Sequence, residues 1–203
     1  MPDTERFDRA APTWDLEDGR VVLARAVAEA ITARVPLSRE MSTLDFGCGT
    51  GLVTLALAPK VGAITGVDTS PGMLKTLAEK AEAPGVPVRL LSLESSDTGD
   101  LGGPYDLIVS SMTLHHVLDV PALFRRFAGQ LHQGGRIALA DLDQEDGSFH
   151  DDATGVHHQG FPREHIQAWL EEAGFQDIHL VTATVDHKNG KDYSVFLATA
   201  RMV

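Results

Sequence analysis

A chain of 203 residues with 43% hydrophobic and 23% charged residues fits one globular domain with a sizeable core, and no apolar run nears the roughly 20 residues that cross a bilayer. A net charge of −12 with no Lys/Arg-rich segment opposes binding to a phosphate backbone, so neither nucleic acid nor membrane insertion is expected. Met1 to Arg6 lack the basic and apolar regions of a secretion signal, and the single cysteine, Cys48, cannot form an internal disulfide, which together point to the cytoplasm.

Leu23, Ala26, Val27, Ala30 and Ile31 keep the i, i+3, i+4 spacing of one helix face, which predicts an amphipathic helix over 15–35 that ends before Pro36. Thr43 to Phe46 reads as a short strand. The glycine turn Gly47-Cys48-Gly49-Thr50-Gly51 follows, then a helix from Leu52 that stops at Pro59. In that turn Cys48 reads as a small apolar filler rather than a reactive thiol. The unit then repeats. Ala63 to Val67 is a buried strand, Ser70-Pro71 an N-cap with proline at the first helical position, and Leu74, Leu77, Ala78 and Ala81 the helix face. Further strands are expected at Val86–Leu93, Tyr105–Ser111 and Arg136–Leu142, with a helix from Val120 to His132 that Gly134-Gly135 ends. Short apolar strands alternating with helices predict a parallel sheet covered on both faces.

The last third changes character. A polar loop over 143–160 leads to a helix from Pro162 to Ala173, stopped by Gly174. Strands at Ile178–Val185 and Tyr193–Ala200 flank Asn189-Gly190, a strong hairpin signal.

A glycine turn between a first strand and a helix lets backbone approach a ligand that side chains would repel. Dinucleotide folds favour G-x-G-x-x-G, whereas the order here is G-x-G-x-G, with Leu52 where the final glycine would stand. Asp68 follows the second strand, about 20 residues beyond the turn, where a carboxylate can accept both ribose hydroxyls. Alone, Asp68 supports an adenosine ligand without choosing between a nicotinamide dinucleotide and S-adenosylmethionine.

Leu44-Asp45-Phe46-Gly47-Cys48-Gly49-Thr50-Gly51, Gly66-Val67-Asp68-Thr69-Ser70-Pro71-Gly72-Met73-Leu74, Tyr105-Asp106-Leu107-Ile108-Val109 and Leu114-His115-His116-Val117 resemble, in order and spacing, class I S-adenosylmethionine-dependent methyltransferases. The likeness is nearest to the small-molecule branch that includes the ubiquinone and menaquinone biosynthesis enzymes, and it covers nearly the whole chain. It implies an α/β, Rossmann-like fold: a seven-stranded mixed sheet with helices on both faces and an antiparallel C-terminal hairpin. It also implies that Asp45 meets the methionyl amine and that Gly47 and Gly49, with Cys48 between them, line the methionine portion. Asp68 would bind the ribose hydroxyls, Thr69 and Met73 would flank the adenine, and Leu93 or Glu94 would meet its edge. Ser110 would offer its backbone to the methionine part. Phe7 to Asp15 resembles a segment that closes over the cofactor in relatives, with Trp14 in place of the usual tyrosine; Trp14 equally suits a core anchor. One domain is expected, with a helical cap over 1–36, a cofactor-binding core over 37–142, and an acceptor-side loop, helix and hairpin over 143–203.

The reaction so implied moves a methyl group to a small-molecule acceptor by in-line displacement, leaving S-adenosylhomocysteine, and its main demand is alignment in a dry pocket. A neutral hydroxyl or protonated amine must also lose a proton, a task that suits histidine. His115 and His116 follow the fourth strand at the sheet edge where ligands bind in open α/β folds. His115 is the preferred catalytic residue; a capping or packing role is the alternative. Asp141 to Asp152, with His157 and His158, brings carboxylates and imidazoles to the same edge. Their spacing matches no metal signature, so no metal is expected and the stretch reads as a solvated acceptor lid. His116, His150, His157 and His158 are the acceptor-side candidates.

A nicotinamide-dependent oxidoreductase should show the longer glycine spacing. A nucleic-acid amino-methyltransferase usually ends its fourth strand in an Asn/Asp-Pro-Pro-aromatic motif, which Ser110-Ser111-Met112-Thr113 lacks. A non-catalytic S-adenosylmethionine sensor or partner protein would keep every cofactor feature and stays open at this point, as does the oligomeric state.

Overall fold

The computed structural model describes residues 4–82, 87–93 and 101–203. A short helix α1 (Thr4–Ala10) and a 3-10 turn (Ala11–Leu16) precede α2 (Asp18–Arg34). The chain then alternates: β1 (Ser42–Phe46), α3 (Leu52–Leu57), β2 (Ala63–Asp68), α4 (Pro71–Glu82), β3 (Val88–Ser92) and β4 (Tyr105–Ser111). It ends with α5 (Val120–Ala128), β5 (Leu131–Leu142), α6 (Arg163–Glu172), β6 (Phe175–Lys188) and β7 (Lys191–Met202).

The strands form one seven-stranded sheet in the order β3-β2-β1-β4-β5-β7-β6. β1 to β5 pair in parallel, while β7 runs antiparallel to both β5 and β6. This is the mixed α/β sheet the motifs implied. Asn189 and Gly190, at the tip of the β6–β7 hairpin, both take positive φ (53° and 74°), which the Asn-Gly dipeptide adopts at little cost.

Adjacent residues on the central strands feed opposite cores. Ile108 packs with Phe124 and Phe127 of α5 and Ile166 and Leu170 of α6. Leu107 and Val109 point the other way, onto Val27 and Ile31 of α2 and Leu57 of α3. Strands covered on both faces must be apolar throughout, which explains their continuous hydrophobic runs. Each such fully buried side chain contributes roughly 1.5–3 kcal/mol relative to exposure. On the α4 side, Gly66 has no room for a side chain: a Cβ there would lie 3.0 Å from Cys48 Sγ and 3.1 Å from Leu77.

Several boundaries differ from the sequence expectation. The helix expected to reach His132 ends at Ala128, and Leu131, His132 and Gly134-Gly135 all lie within β5. Leu131 continues the apolar spacing of Leu123, Phe124 and Phe127, but it pairs with Tyr105 across the sheet, so tertiary pairing overrides helical period. α2 starts at Asp18 rather than near 15 because Ala11–Leu16, with Pro12 in its first turn, winds as a 3-10 turn. Val86 lies outside the described residues, and β3 begins at Val88. No helix among the described residues is long and apolar enough to cross a membrane.

Candidate active site

The parallel strands β1, β2 and β4 end together at one edge of the sheet. Gly47, Gly49 and Gly51 of the turn after β1 all have positive φ, at 71°, 52° and 83°. A Cβ on Gly47 would lie 2.3 Å from Thr113, and one on Gly51 2.2 Å from Leu77 Cδ1, whereas one on Gly49 would meet nothing within 4 Å. Packing therefore excludes side chains at the outer two glycines, and the middle one faces open space. The Gly47 and Cys48 amides donate to the Val67 carbonyl (2.8 and 3.0 Å), and the Gly49 amide donates to Asp68 Oδ2 (2.8 Å). Cys48 is packed against Leu74 and Leu77, and burial pushes its thiol well above the ordinary value, as suits a filler.

Asp45 is buried beneath the turn, where Thr54 Oγ1 donates to its Oδ2 (2.6 Å). Burial above all, with the negative Asp68 adding to it, pushes the Asp45 carboxyl up to about 7 against the pull of Thr54. Asp68, at the end of β2, also accepts from the Ser70 amide (2.9 Å), and burial raises its carboxyl despite these amides. Both carboxylates keep lone pairs for a ligand. The Leu93 amide donates to the Asp68 carbonyl (3.0 Å), which seats buried Leu93 beside it; Glu94 lies outside the described residues. Thr69 is exposed and Met73 buried, and the Met73 amide donates to Ser70 Oγ (3.1 Å), the N-cap bond expected from sequence. Ser110 Oγ donates to the Phe46 carbonyl (2.8 Å) and ties the ends of β4 and β1 together.

The N-terminal segment is bound across this edge by two acids that sequence reasoning passed over. Asp8 Oδ1 accepts from Ser70 Oγ (2.5 Å) and the Gly72 amide (2.7 Å). Asp15 Oδ1 accepts from Thr50 Oγ1 (2.6 Å), while Lys80 Nζ reaches Asp15 Oδ2 (2.6 Å) and the Thr50 carbonyl (2.8 Å). Trp14 lies 3.7 Å from the Arg20 guanidinium of α2 and 5.9 Å from the Phe7 ring.

His115 occupies the 3-10 turn Leu114–His116 after β4. Its Nδ1 lies 2.7 Å from Asp141 Oδ1, its amide donates to Asp141 Oδ2 (3.3 Å), and both residues are buried. Burial pushes the Asp141 carboxyl up, but the charge and hydrogen bonds of His115 outweigh it and hold the group below the ordinary carboxylate value. An ionised carboxylate only accepts, so His115 Nδ1 carries a proton, and Nε2 is the ring nitrogen turned toward His150. Sequence reasoning did not pair them, although Asp141 near the end of β5 echoes Asp68 at the end of β2.

The loop after β5 folds back onto this turn. The His157 and His158 amides donate to the His115 carbonyl (2.8 and 3.2 Å), and His158 Nε2 donates to the Val117 carbonyl (3.0 Å). His116 Nδ1 donates to the Gly155 carbonyl (2.8 Å), and His150 Nε2 lies 3.2 Å from His115 Nε2. The rings of His115, His116 and His150 thus meet, while the His157 ring is exposed. Burial first, then the neighbouring His115, lowers His116 and His150 to about 4, so both are neutral at ordinary pH. His150 also lines a cavity of about 380 Å³ with Gln144, Glu145, His157, His158 and Gln159. Glu145 Oε2 accepts from the Ser148 and Phe149 amides (2.8 and 3.1 Å), and its buried Oε1 has no hydrogen-bond partner among the described residues.

An open α/β sheet with a three-glycine turn, a carboxylate at the end of β2 and imidazoles after β4 defines a Rossmann-like fold for an adenosine-bearing cofactor. A model of the methyltransferase domain family matches residues 17–180, and the chain belongs to that family, the class I S-adenosylmethionine-dependent methyltransferases. It is 31% identical over 157 residues to an uncharacterised methyltransferase of Schizosaccharomyces pombe, covering 70% of this chain and 55% of that protein. The chain therefore spans little more than half of that relative's length. It is 29% identical over 180 residues to a ubiquinone biosynthesis O-methyltransferase of Methylobacterium nodulans, covering 81% of this chain and 70% of that one. In fold it is similar to a Haloferax volcanii methyltransferase solved in complex with the Trm112 methyltransferase activator, with a TM-score of 0.77, 16% identity and 96% of each chain covered.

Proposed function

We propose that the protein transfers the methyl group of S-adenosylmethionine to a small-molecule acceptor, and that His115 takes the proton from the acceptor's hydroxyl or amine. The observation that carries this reading is the buried His115–Asp141 pair, whose Nε2 points to the imidazole beside the loop cavity.

The chain's residues fit the cofactor, because Gly49 opens onto space that a side chain would fill, and Asp68 keeps lone pairs toward the same edge. Asp68 would accept the ribose hydroxyls and Asp45 would meet the amine. Gly47, Gly49 and the Ser110 backbone would line the methionine part over Cys48, while Thr69, Met73 and Leu93 would bound the adenine. When bound, S-adenosylmethionine supplies an electrophilic methyl on a sulfonium and leaves as S-adenosylhomocysteine. The bound N-terminal segment and the 143–160 loop exclude water, and the remaining demand is in-line alignment.

At the acceptor, His115 Nε2 takes the proton, and Asp141 holds the tautomer and offsets the imidazolium charge that forms. A sensor would need no such pair, so it supports turnover over sensing. A cavity of about 380 Å³ suits a small ligand. The unpartnered Glu145 Oε1 supports an acceptor that carries a hydrogen-bond donor. A cytoplasmic address accords with the free Cys48.

Incubation with methyl-labelled cofactor and a fractionated small-molecule extract should yield one labelled product and equimolar S-adenosylhomocysteine. His115→Ala should slow turnover by about 100-fold or more without weakening cofactor binding. Label confined to macromolecules, or no heat of cofactor binding in calorimetry, would sink the reading.

A further inference from the structure

We infer that His115, His116 and His150 form a binding site for one divalent transition-metal ion on the acceptor side. This rests on reading that edge as the place where the acceptor is held. One ring nitrogen from each histidine lies within 4.8 Å of those of the other two, and the His115 and His150 Nε2 atoms are 3.2 Å apart. Three nitrogens bound at about 2.1 Å to one ion in tetrahedral or octahedral geometry lie about 3.0–3.4 Å apart, so a small inward shift of one ring completes the set.

The surroundings match those of ligating histidines. The Nδ1–H of His115 is held by the Asp141 carboxylate and that of His116 by the Gly155 carbonyl, the two partners that most often fix the tautomer of a metal-bound imidazole. Both Nε2 atoms are thereby left as lone pairs. His150 Nε2 and His115 Nε2 face each other at 3.2 Å, the separation of two nitrogens that share one hydrogen bond or one ion. Asp141, fully buried below the cluster, supplies negative charge. Arg6, whose charge opposes a cation at His116, donates to the Asp152 and Thr154 carbonyls.

Three imidazole ligands select Zn²⁺, Fe²⁺ or a similar borderline ion over Mg²⁺ or Ca²⁺, and three protein ligands leave positions open. Because His150 lines the loop cavity, those positions are within reach of an acceptor oxygen, whose proton is lost to water as the ion lowers its pKa. In the metal-free chain His115 Nε2 takes the acceptor proton as proposed above; with the ion bound His115 is a ligand and the acceptor proton leaves to water.

The tag-free full chain, stripped with a chelator and titrated with Zn²⁺ and Co²⁺, tests this. One ion per chain by elemental analysis and a visible ligand-field absorption for Co²⁺ are expected. Affinity should fall about 10-fold or more in His150→Ala, in His150→Gln and in the positioning variant Asp141→Asn, and stay unchanged in His165→Ala, outside the cluster. Retention no greater than in His150→Ala, or equal binding by all variants, would overturn the inference. Calorimetry of S-adenosylmethionine with the metal-free chain reads the proposed function separately: cofactor binding without ion binding keeps that reading and removes this one.

Discussion

His115 Nδ1 lies 2.7 Å from Asp141 Oδ1, joining the turn after β4 to the end of β5 across 26 residues of chain. Asp141→Asn should leave cofactor affinity within about 2-fold while lowering turnover by about 100-fold, because the tautomer and its compensating charge are lost together. The sign of the stability effect follows from the depressed Asp141 carboxyl. Its contribution is present above the unfolded value near about 4 and is lost as pH falls through the lower folded value, so the gap in Tm between wild type and Asp141→Asn should narrow below about pH 4.

Asp45 works in the opposite direction. Its folded value of about 7 stands above the unfolded one, so its stabilisation is complete at low pH and is lost as pH rises to about 7. Denaturant midpoints should decline over that window in the wild type and stay flatter in Asp45→Asn. A cationic amine bound at Asp45 favours the ionised carboxylate, so cofactor binding should release protons and tighten from about pH 5.5 to about pH 7. Calorimetry in buffers of different ionisation enthalpy reads this directly.

Gly47 carries two separable demands, a positive φ of 71° and a Thr113 side chain 2.3 Å from any added Cβ. Gly47→Ala should lower stability by roughly 2–4 kcal/mol, and Thr113→Ala in the same chain should restore the steric part, leaving about 1 kcal/mol of backbone strain. A double-mutant cycle with no coupling would show that Thr113 does not close on the turn.

Asp8→Ala and Asp15→Ala should each weaken cofactor binding by about 3-fold to 30-fold with small effects on Tm, since the half-buried Asp15–Lys80 pair contributes no more than about 1 kcal/mol. Limited proteolysis should then cut the N-terminal segment faster, and cofactor should protect it less than in the wild type.

Much of this molecule is legible in the sequence because it depends on local chemistry. The alternation of apolar strands and helices, the Ser70 cap, the Asn189-Gly190 hairpin tip and the spacing from Gly47 to Asp68 are written in periodicity and in residues suited to one backbone conformation. Those features determined the sheet and the family resemblance. At Gly47 and Gly51 it is Thr113 and Leu77, side chains distant in sequence, that leave no room for a Cβ, and no local spacing shows this. The end of α5 is not legible in the sequence because the apolar spacing of Leu131 serves a helix and a strand equally, and pairing with Tyr105 decides between them. The far side of the site is tertiary throughout. Asp141 reaches His115 because β4 and β5 are neighbours, and His150 reaches it because the loop folds back until the His157 and His158 amides close on the His115 carbonyl. Such contacts arise from sheet order and loop path, which no spacing along the chain encodes; the sequence determined the cofactor edge, and only the fold decided which imidazoles face one another there.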